Sequence, residues 1–298
     1  MLSLLFALSW GCGPNQTPPV IIISQNAGTT PLMDALEETP LRAICEEYYS
    51  NNLCLLDSEQ ALAAALQQDG PTLALFQELW SREAWCAAAD RPEEAQTEPF
   101  ACAGQGPQLE RVLPEGLSWT CSAGYPDNCI AWDSERFVPE IGCTERDCGE
   151  QLEDLSSSCA PPGRIALLEG TLDGVPTTVV VVHTRAGFTS EERACRVEQL
   201  EGLAVRLQAS SAARIVVAGD FNLNPDETAP TDSQAFHTML DAVGLRRVED
   251  DGDTFRLIEQ DLDAVAVLGL PDVLACSVRF VDEDISPWMF DHGMLSCR

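Results

Sequence analysis

An α/β fold is the class this sequence predicts. Short β-branched runs alternate along it with amphipathic helical stretches, and the runs end in polar residues able to do chemistry. Residues 214–225, RIVVAGDFNLNP, show the pattern: Ile215, Val216 and Val217 pass through Ala218 and Gly219 into Asp220, Phe221 and Asn222. With 298 residues and 45% hydrophobic content, the chain can bury a sizeable core.

Residues 19–24 (PVIIIS) and 72–76 (TLALF) read as buried strands, joined through a helix at 58–70 that Gly70 ends. Residues 177–182 (TTVVVV) and 214–218 (RIVVA) read as a third and a fourth strand. The helix between these opens with a capping box, Thr189 to Glu192. It sets Ala194, Val197, Leu200, Leu203 and Leu207 on one face. A helix at 231–243 follows, then late strands at 262–268, 275–281 and 293–297. The stretch from Trp85 to Pro162 is rich in Cys, Pro, Gly and Glu. It reads as a Cys-rich insertion of loops around one or two strands, such as CIAW at 129–132.

The formal net charge is -31, and all 17 basic residues are Arg, so the surface as a whole repels polyanions. A general nucleic-acid coat protein is excluded. Thirteen cysteines without a paired CxxC metal pattern point to a disulfide-bonded exported protein. Residues 1–12, MLSLLFALSWGC, resemble a bacterial lipoprotein signal whose Cys12 becomes the lipidated first residue. Two features depart from it: no basic residue precedes the apolar run, and Leu stands four rather than three residues before Cys12. An apolar N-terminal strand is the other reading. Lipidation would leave twelve cysteines for up to six disulfides. Local pairing would join Cys45 to Cys54, Cys86 to Cys102, Cys121 to Cys129 and Cys143 to Cys148, though spacing alone leaves connectivity open. The expectation is an exported monomer, either a cell-envelope lipoprotein or a secreted or periplasmic protein, touching membrane only through its lipid anchor.

Strand ends carry the candidate chemistry. Glu78 follows LFQ, His183 follows VVVV, Asp220 and Asn222 follow VAG, and Asp291 stands beside His292. Loops at strand ends are where α/β folds assemble sites, because the sheet fixes the loop roots. A carboxylate and a carboxamide two residues apart on an extended exit would share a side.

Taken in order, SQNAG, LFQE, VVVVHT, RVEQL, GDFN, LDAVAV and FDHG resemble the endonuclease/exonuclease/phosphatase superfamily over residues 20–298. The resemblance implies a four-layered α/β sandwich of two packed mixed sheets flanked by helices. It implies one catalytic domain, 20–298, after a leader and linker at 1–19. The activity implied is hydrolysis of phosphoester bonds with Mg²⁺ or Mn²⁺, most readily of a phosphodiester, nucleic-acid or phospholipid headgroup being open. Matching positions make Glu78 a metal ligand, with Asn26 and Asp291 completing or water-bridging the site. Asp220 would orient or deprotonate the attacking water, Asn222 and His183 would donate to the phosphate, and His292 would carry a proton with Asp263 orienting its ring. A small residue before the Asp-His pair and an apolar or Pro residue after it are usual; here Phe290 and Gly293 stand there.

Structural readings compete at each position. Asn26 suits a turn before Gly28, Glu78 suits the cap of a helix beginning near Leu79, and Asp220 with Asn222 suits a polar turn before Pro225. Asp261 competes with Asp263. His237 reads as structural. Arg185, Arg193 and Arg196 either contact substrate or pair along the helix with Glu191, Glu192 or Glu201. The alternative function is a surface-anchored binding protein that kept the fold and lost turnover.

Overall fold

Strand residues buried on both faces decide the layering. The computed structural model describes residues 18–28, 40–49, 51, 53–83, 86–87, 91–227, 230–255, 260–281 and 291–298. The leader with Cys12, Trp85 and Phe290 lie outside the described residues.

One sheet holds β1 (Ile22–Asn26), β2 (Leu73–Gln77), β3 (Leu117–Cys121), β4 (Cys129–Asp133), β6 (Asp147–Glu150), β13 (Cys276–Arg279) and β14 (Met294–Cys297). Its order is β13-β14-β1-β2-β4-β3-β6. The other holds β5 (Phe137–Pro139), β7 (Glu153–Asp154), β8 (Ile165–Leu172), β9 (Val175–His183), β10 (Arg214–Asp220), β11 (Arg246–Arg247) and β12 (Asp263–Leu268). It runs β11-β12-β10-β9-β8-β5, with β7 also on β8. Both mix parallel pairs, β1 with β2 and β9 with β10, with antiparallel ones.

Alternate residues face inward between the sheets: Ile22, Leu73, Leu75, Val179, Val181, Val216, Ala218, Val265 and Leu295 belong to one core. Their neighbours face outward to helices. Ile23, Ala74, Phe76 and Met294 pack with Leu62 and Leu66 of α2 (Leu56–Asp69) and with Leu109 and Val112 of a short helix (Gln108–Val112). Val180, Val182, Val217 and Ala264 pack with Leu200, Leu203 and Leu207 of a helix at Ser190–Gln208 and with Phe236 and Met239 of another at Thr231–Val243. Counting α1 (Pro40–Tyr48), these last three helices are α3, α4 and α5 in chain order. Each such side chain contributes roughly 1.5–3 kcal/mol on burial, so strands covered on both faces read as continuous apolar runs.

The structure is the expected four-layered sandwich, with local differences. Strand β10 continues past Ala218 through Gly219 to Asp220. Helix α4 keeps its capping box, but it buries Cys195, Arg196, Gln199, Leu200, Leu203 and Leu207, leaving Ala194 exposed. Residues 85–162 contribute five strands, β3 to β7, rather than loops around one or two; Trp119, Ile130, Trp132 and Phe137 are buried there. Their apolar content is concentrated in a few large side chains, which a composition average hides.

Candidate active site

Register brings the polar strand ends together. In the parallel pair of β9 and β10, Asp220 stands beside His183; in the antiparallel pair of β10 and β12, it stands beside Asp263. In the facing sheet, β1 ends at Asn26 beside Gln77, one residue before Glu78. Asp291 and His292 lead into β14. Asn26 Nδ2 donates to Asp220 Oδ2 at 3.0 Å, joining the two sheets at this end.

Gly219 is required by close approach. A Cβ there would collide with the carbonyl oxygen of Val182 on β9. Phe221 turns inward, fully buried with its ring 4.9 Å from that of Phe236 on α5. That anchor makes Asp220 and Asn222 flank a core residue. The exit itself is not extended: Asn222 has φ 51, and its N–H donates to Asp220 Oδ1 at 2.6 Å. A tight turn, not strand periodicity, therefore places the two side chains. Asn222 Nδ2 donates to the Thr184 carbonyl at 3.2 Å.

Glu78 also has positive φ, 61, and residues 79–82 are not helical, so no helix begins near Leu79 for it to cap. Non-glycine residues are strained in this region, and such strain gathers at functional sites. Asn26 is the turn residue considered for it, its Oδ1 accepting from the Gly28 N–H at 2.8 Å, and its amide also reaches Asp220.

The two imidazoles are in different states. His292 Nδ1 lies 2.8 Å from Asp263 Oδ2, and its Nε2 lies 3.8 Å from Asp220 Oδ2. Burial disfavours its charged form, but Asp263, Asp220 and Asp291 outweigh burial and push the pKa up to about 10. His183 is held neutral, its pKa well below the ordinary value because of burial and of the positive charges of Arg164 and His292. Its Nε2 faces Glu78 Oε1 at 3.4 Å and Asp220 Oδ2 at 3.9 Å. Burial raises the Glu78 carboxyl to about 8; Asp220 and Asp291 add to the rise and His292 opposes it. Burial likewise raises Asp220. Asp261, by contrast, pairs with Arg247 and leaves the ring of His292 to Asp263.

Sequence reasoning missed several residues around this centre. Arg164 donates from Nη1 to the Thr184 carbonyl at 3.2 Å, sits 4.7 Å from the ring of Tyr125, and acts electrostatically on Glu78 and His183. Tyr125 meets His183 edge-on at 5.7 Å. The signal for Arg164 was present. Asp173-Gly174 is a hairpin turn, and counting back from Leu172 opposite Val175 puts Ile165 opposite Val182 and Arg164 beside His183. Thr254 Oγ1 accepts the N–H groups of Leu262 and Asp263 at 2.9 Å each, while its carbonyl accepts from Gly293 at 2.7 Å. One threonine thus ties the segments of Asp263 and His292 together. No sequence pattern announces it.

His237 lies outside this centre, with Nε2 2.8 Å from the Pro225 carbonyl oxygen. Arg193 and Arg196 do not pair along α4. Both turn to Asp232 on α5, at 3.3 and 2.6 Å.

No family profile and no curated protein sequence matches the chain. Solved structures do. Beta toxin from Staphylococcus aureus gives a TM-score of 0.56 at 11% identity, covering 94% of this chain and 99% of the toxin. Humanized D. rerio TDP2 gives 0.53 at 14% identity, covering 93% of this chain and 97% of that one. An endonuclease/exonuclease/phosphatase family protein from Bacteroides thetaiotaomicron gives 0.55 at 12% identity, covering 93% of each chain. With two seven-stranded mixed sheets between helices, the chain has the endonuclease/exonuclease/phosphatase fold.

Proposed function

We propose that the protein is a divalent-metal-dependent phosphoester hydrolase acting on a phosphodiester. The observation that carries this reading is the placement of Asp220 between the imidazoles of His183 and His292, with Asp263 behind the second. Asp220 takes a proton from water as its oxygen bonds to phosphorus. His292, oriented through Nδ1, gives its proton to the departing oxygen as the phosphorus-oxygen bond breaks. A proton passing from Asp220 to His292, 3.8 Å away, resets the pair. Neutral His183, the Asn222 amide and Arg164 supply donors to the phosphoryl oxygens.

Among the described residues, no three His, Cys, Asp or Glu side chains form a ready metal cage. Mg²⁺ is commonly held by one or two carboxylates with water and substrate oxygens completing its shell. Glu78 and Asp291, with Asn26 nearby on β1, fit that kind of site: the donors are oxygens, and buried Glu78 lies close enough to Asp220 and Asp291 for their charges to add to the rise that burial gives its pKa. A hard cation bound there would draw charge from the phosphoryl group.

The test is hydrolysis of chromogenic phosphodiesters, DNA, RNA, sphingomyelin and phosphoinositides with Mg²⁺ or Mn²⁺. Turnover of at least one, abolished by EDTA and restored by the ion, is the expected result. Unchanged rates after exhaustive chelation would remove the metal, and no turnover on the whole panel would leave the binding-protein alternative.

Export is part of the proposal. It is supported by six disulfides: the four local pairs expected, plus Cys159–Cys195 and Cys276–Cys297. Among the described residues no helix is long and apolar enough to cross a membrane. Lipidation of Cys12 and a monomeric state complete it.

A further inference from the structure

A cavity of about 400 Å³ opens between the N-terminal ends of α4 and α5, within the size range of small-molecule pockets. Its wall includes Phe188, Arg193, Arg196, Leu223, Asn224 and Gln260. It borders the candidate active site on two sides. Leu223 and Asn224 directly follow Asn222; Gln260 pairs through its backbone with Phe255, whose ring lies 4.8 Å from that of His292. A substituent on a phosphate held by Asn222 and His183 would have this cavity as its neighbour.

The lining selects among substituents. Phe188 is 53% exposed, one of the few large apolar side chains so placed, and its carbonyl is held by Arg193 Nε at 3.2 Å. The result is an open aromatic face on a fixed backbone. Behind it, two guanidinium groups, Arg193 and Arg196, meet the single buried carboxylate of Asp232, leaving one positive charge in excess. Arg196 is fully buried, whereas the Arg193 side chain is 28% exposed, and among the described residues its Nη2 has no partner. Glu227 also lines the cavity but is exposed, so water screens it. A flat ring carrying acceptor oxygens satisfies both elements, by stacking on Phe188 and by accepting from Arg193. A choline-type cation would be drawn to the ring but repelled by the excess charge, and a polyol would leave the ring uncovered.

We infer that this cavity binds the nucleoside arm of a small phosphodiester, with Phe188 as the stacking surface and Arg193 as the donor to the base. This rests on the phosphodiesterase reading and narrows its substrate class. Nine arginines pair with the chain's own carboxylates: Arg82, Arg111, Arg136, Arg193, Arg196, Arg206, Arg247, Arg279 and Arg298. Those nine, among the described residues, are partly neutralised, and the net charge of -31 repels a long polyanion, so the occupant is a short nucleotide ester rather than duplex.

The test compares thymidine 5′-(p-nitrophenyl phosphate), methyl p-nitrophenyl phosphate and p-nitrophenylphosphorylcholine on wild type, Phe188→Ala, Phe188→Tyr and Arg193→Gln. Base-aromatic stacking is worth about 1–3 kcal/mol, so Phe188→Ala raises KM for the thymidine ester roughly 5- to 150-fold. The methyl ester's KM stays unchanged, Phe188→Tyr restores the thymidine value, and Arg193→Gln weakens the thymidine ester alone. Equal effects on thymidine and methyl esters, or a wild-type preference for the choline ester, overturn the assignment. Calorimetric titration of thymidine 5′-monophosphate separates this inference from the catalytic one. Binding by wild type that Phe188→Ala weakens supports the cavity even where no ester is turned over, and equal or absent binding refutes it.

Discussion

Asp263 shows what a residue-scale account must explain. Its carboxylate holds His292 Nδ1 at 2.8 Å and so fixes which nitrogen faces Asp220. Asp263→Asn removes the charge while keeping the shape. It should lower kcat by a factor of about 10²–10⁴, the scale set by losing an orienting carboxylate. The alkaline limb of the pH profile should also move to lower pH, since Asp263 is one of the charges that raise His292. Asp220→Ala and His292→Ala should each cost at least about a hundredfold, whereas His237→Ala, which removes a bond to Pro225 and an edge-on contact with Phe236 away from the site, should keep kcat within about twofold. Equal losses at His237 and His292 would refute the site. Side-chain chemistry made these residues candidates along the sequence and the resemblance named Asp263 over Asp261; the pairing of Asp261 with Arg247 is what separates the two in space.

At the scale of elements, the loop between β3 and β4 fastens the site from outside. Cys121 and Cys129 face each other across the two strands and are disulfide-bonded, closing a loop that carries Tyr125 to His183 and Asn128 to the Gly163 carbonyl. The same loop half-buries Asp127, whose buried Oδ1 has no partner among the described residues; this burial raises its pKa from 3.8 to about 6 against the pull of Arg82. The folded state therefore binds a proton that the unfolded state has released between about pH 4 and 6, so this group's contribution to stability falls as pH rises through that window. Asp127→Asn should be more stable than wild type at pH 7 and lose that advantage near pH 4, as read by urea denaturation. An advantage independent of pH would mean that packing, not charge, sets the effect. Helix boundaries and strand runs were legible here because periodicity and capping are local. The role of residues 85–162 was not, because β3 and β4 acquire their meaning only by pairing with β2 and β6.

On the scale of the whole molecule, two poles differ in character. Arg136 binds the carbonyls of Pro18 and Pro19 at 2.9 and 2.8 Å and the carboxylate of Asp173, at the end of β1 remote from Asn26. At about 3.3 Å per strand residue, the candidate site lies a strand length away. Disulfides hold what the loops alone would not. The Cys86–Cys102 bridge closes a separation of 16 residues, worth on the order of 3 kcal/mol in the chain-entropy model. Native exported protein should show all twelve cysteines from Cys45 onward oxidised and Cys12 carrying lipid, by intact mass before and after reduction. Reduction should lower the Tm and abolish activity, because Cys276–Cys297 pins β14 directly after His292. Many free thiols, or an unprocessed Met1, would place the protein in a reducing compartment.

Read along the chain, spacing and residue type settled the α/β class, the three long helices, the late strands and the candidate side chains, since each depends on neighbours within a few residues. The ordered motifs gave the resemblance to a superfamily and, through it, the expectation of four layers that the fold shows. Three matters depended on contacts between distant segments: the turn at Asn222 in place of an extended exit, the pairing of Asp261 with Arg247 that leaves His292 to Asp263, and the turning of Arg193 and Arg196 from their own helix to Asp232. Local periodicity says which face a side chain occupies; only packing brings residues 29 or 36 positions apart within hydrogen-bond reach and so decides which charge meets which.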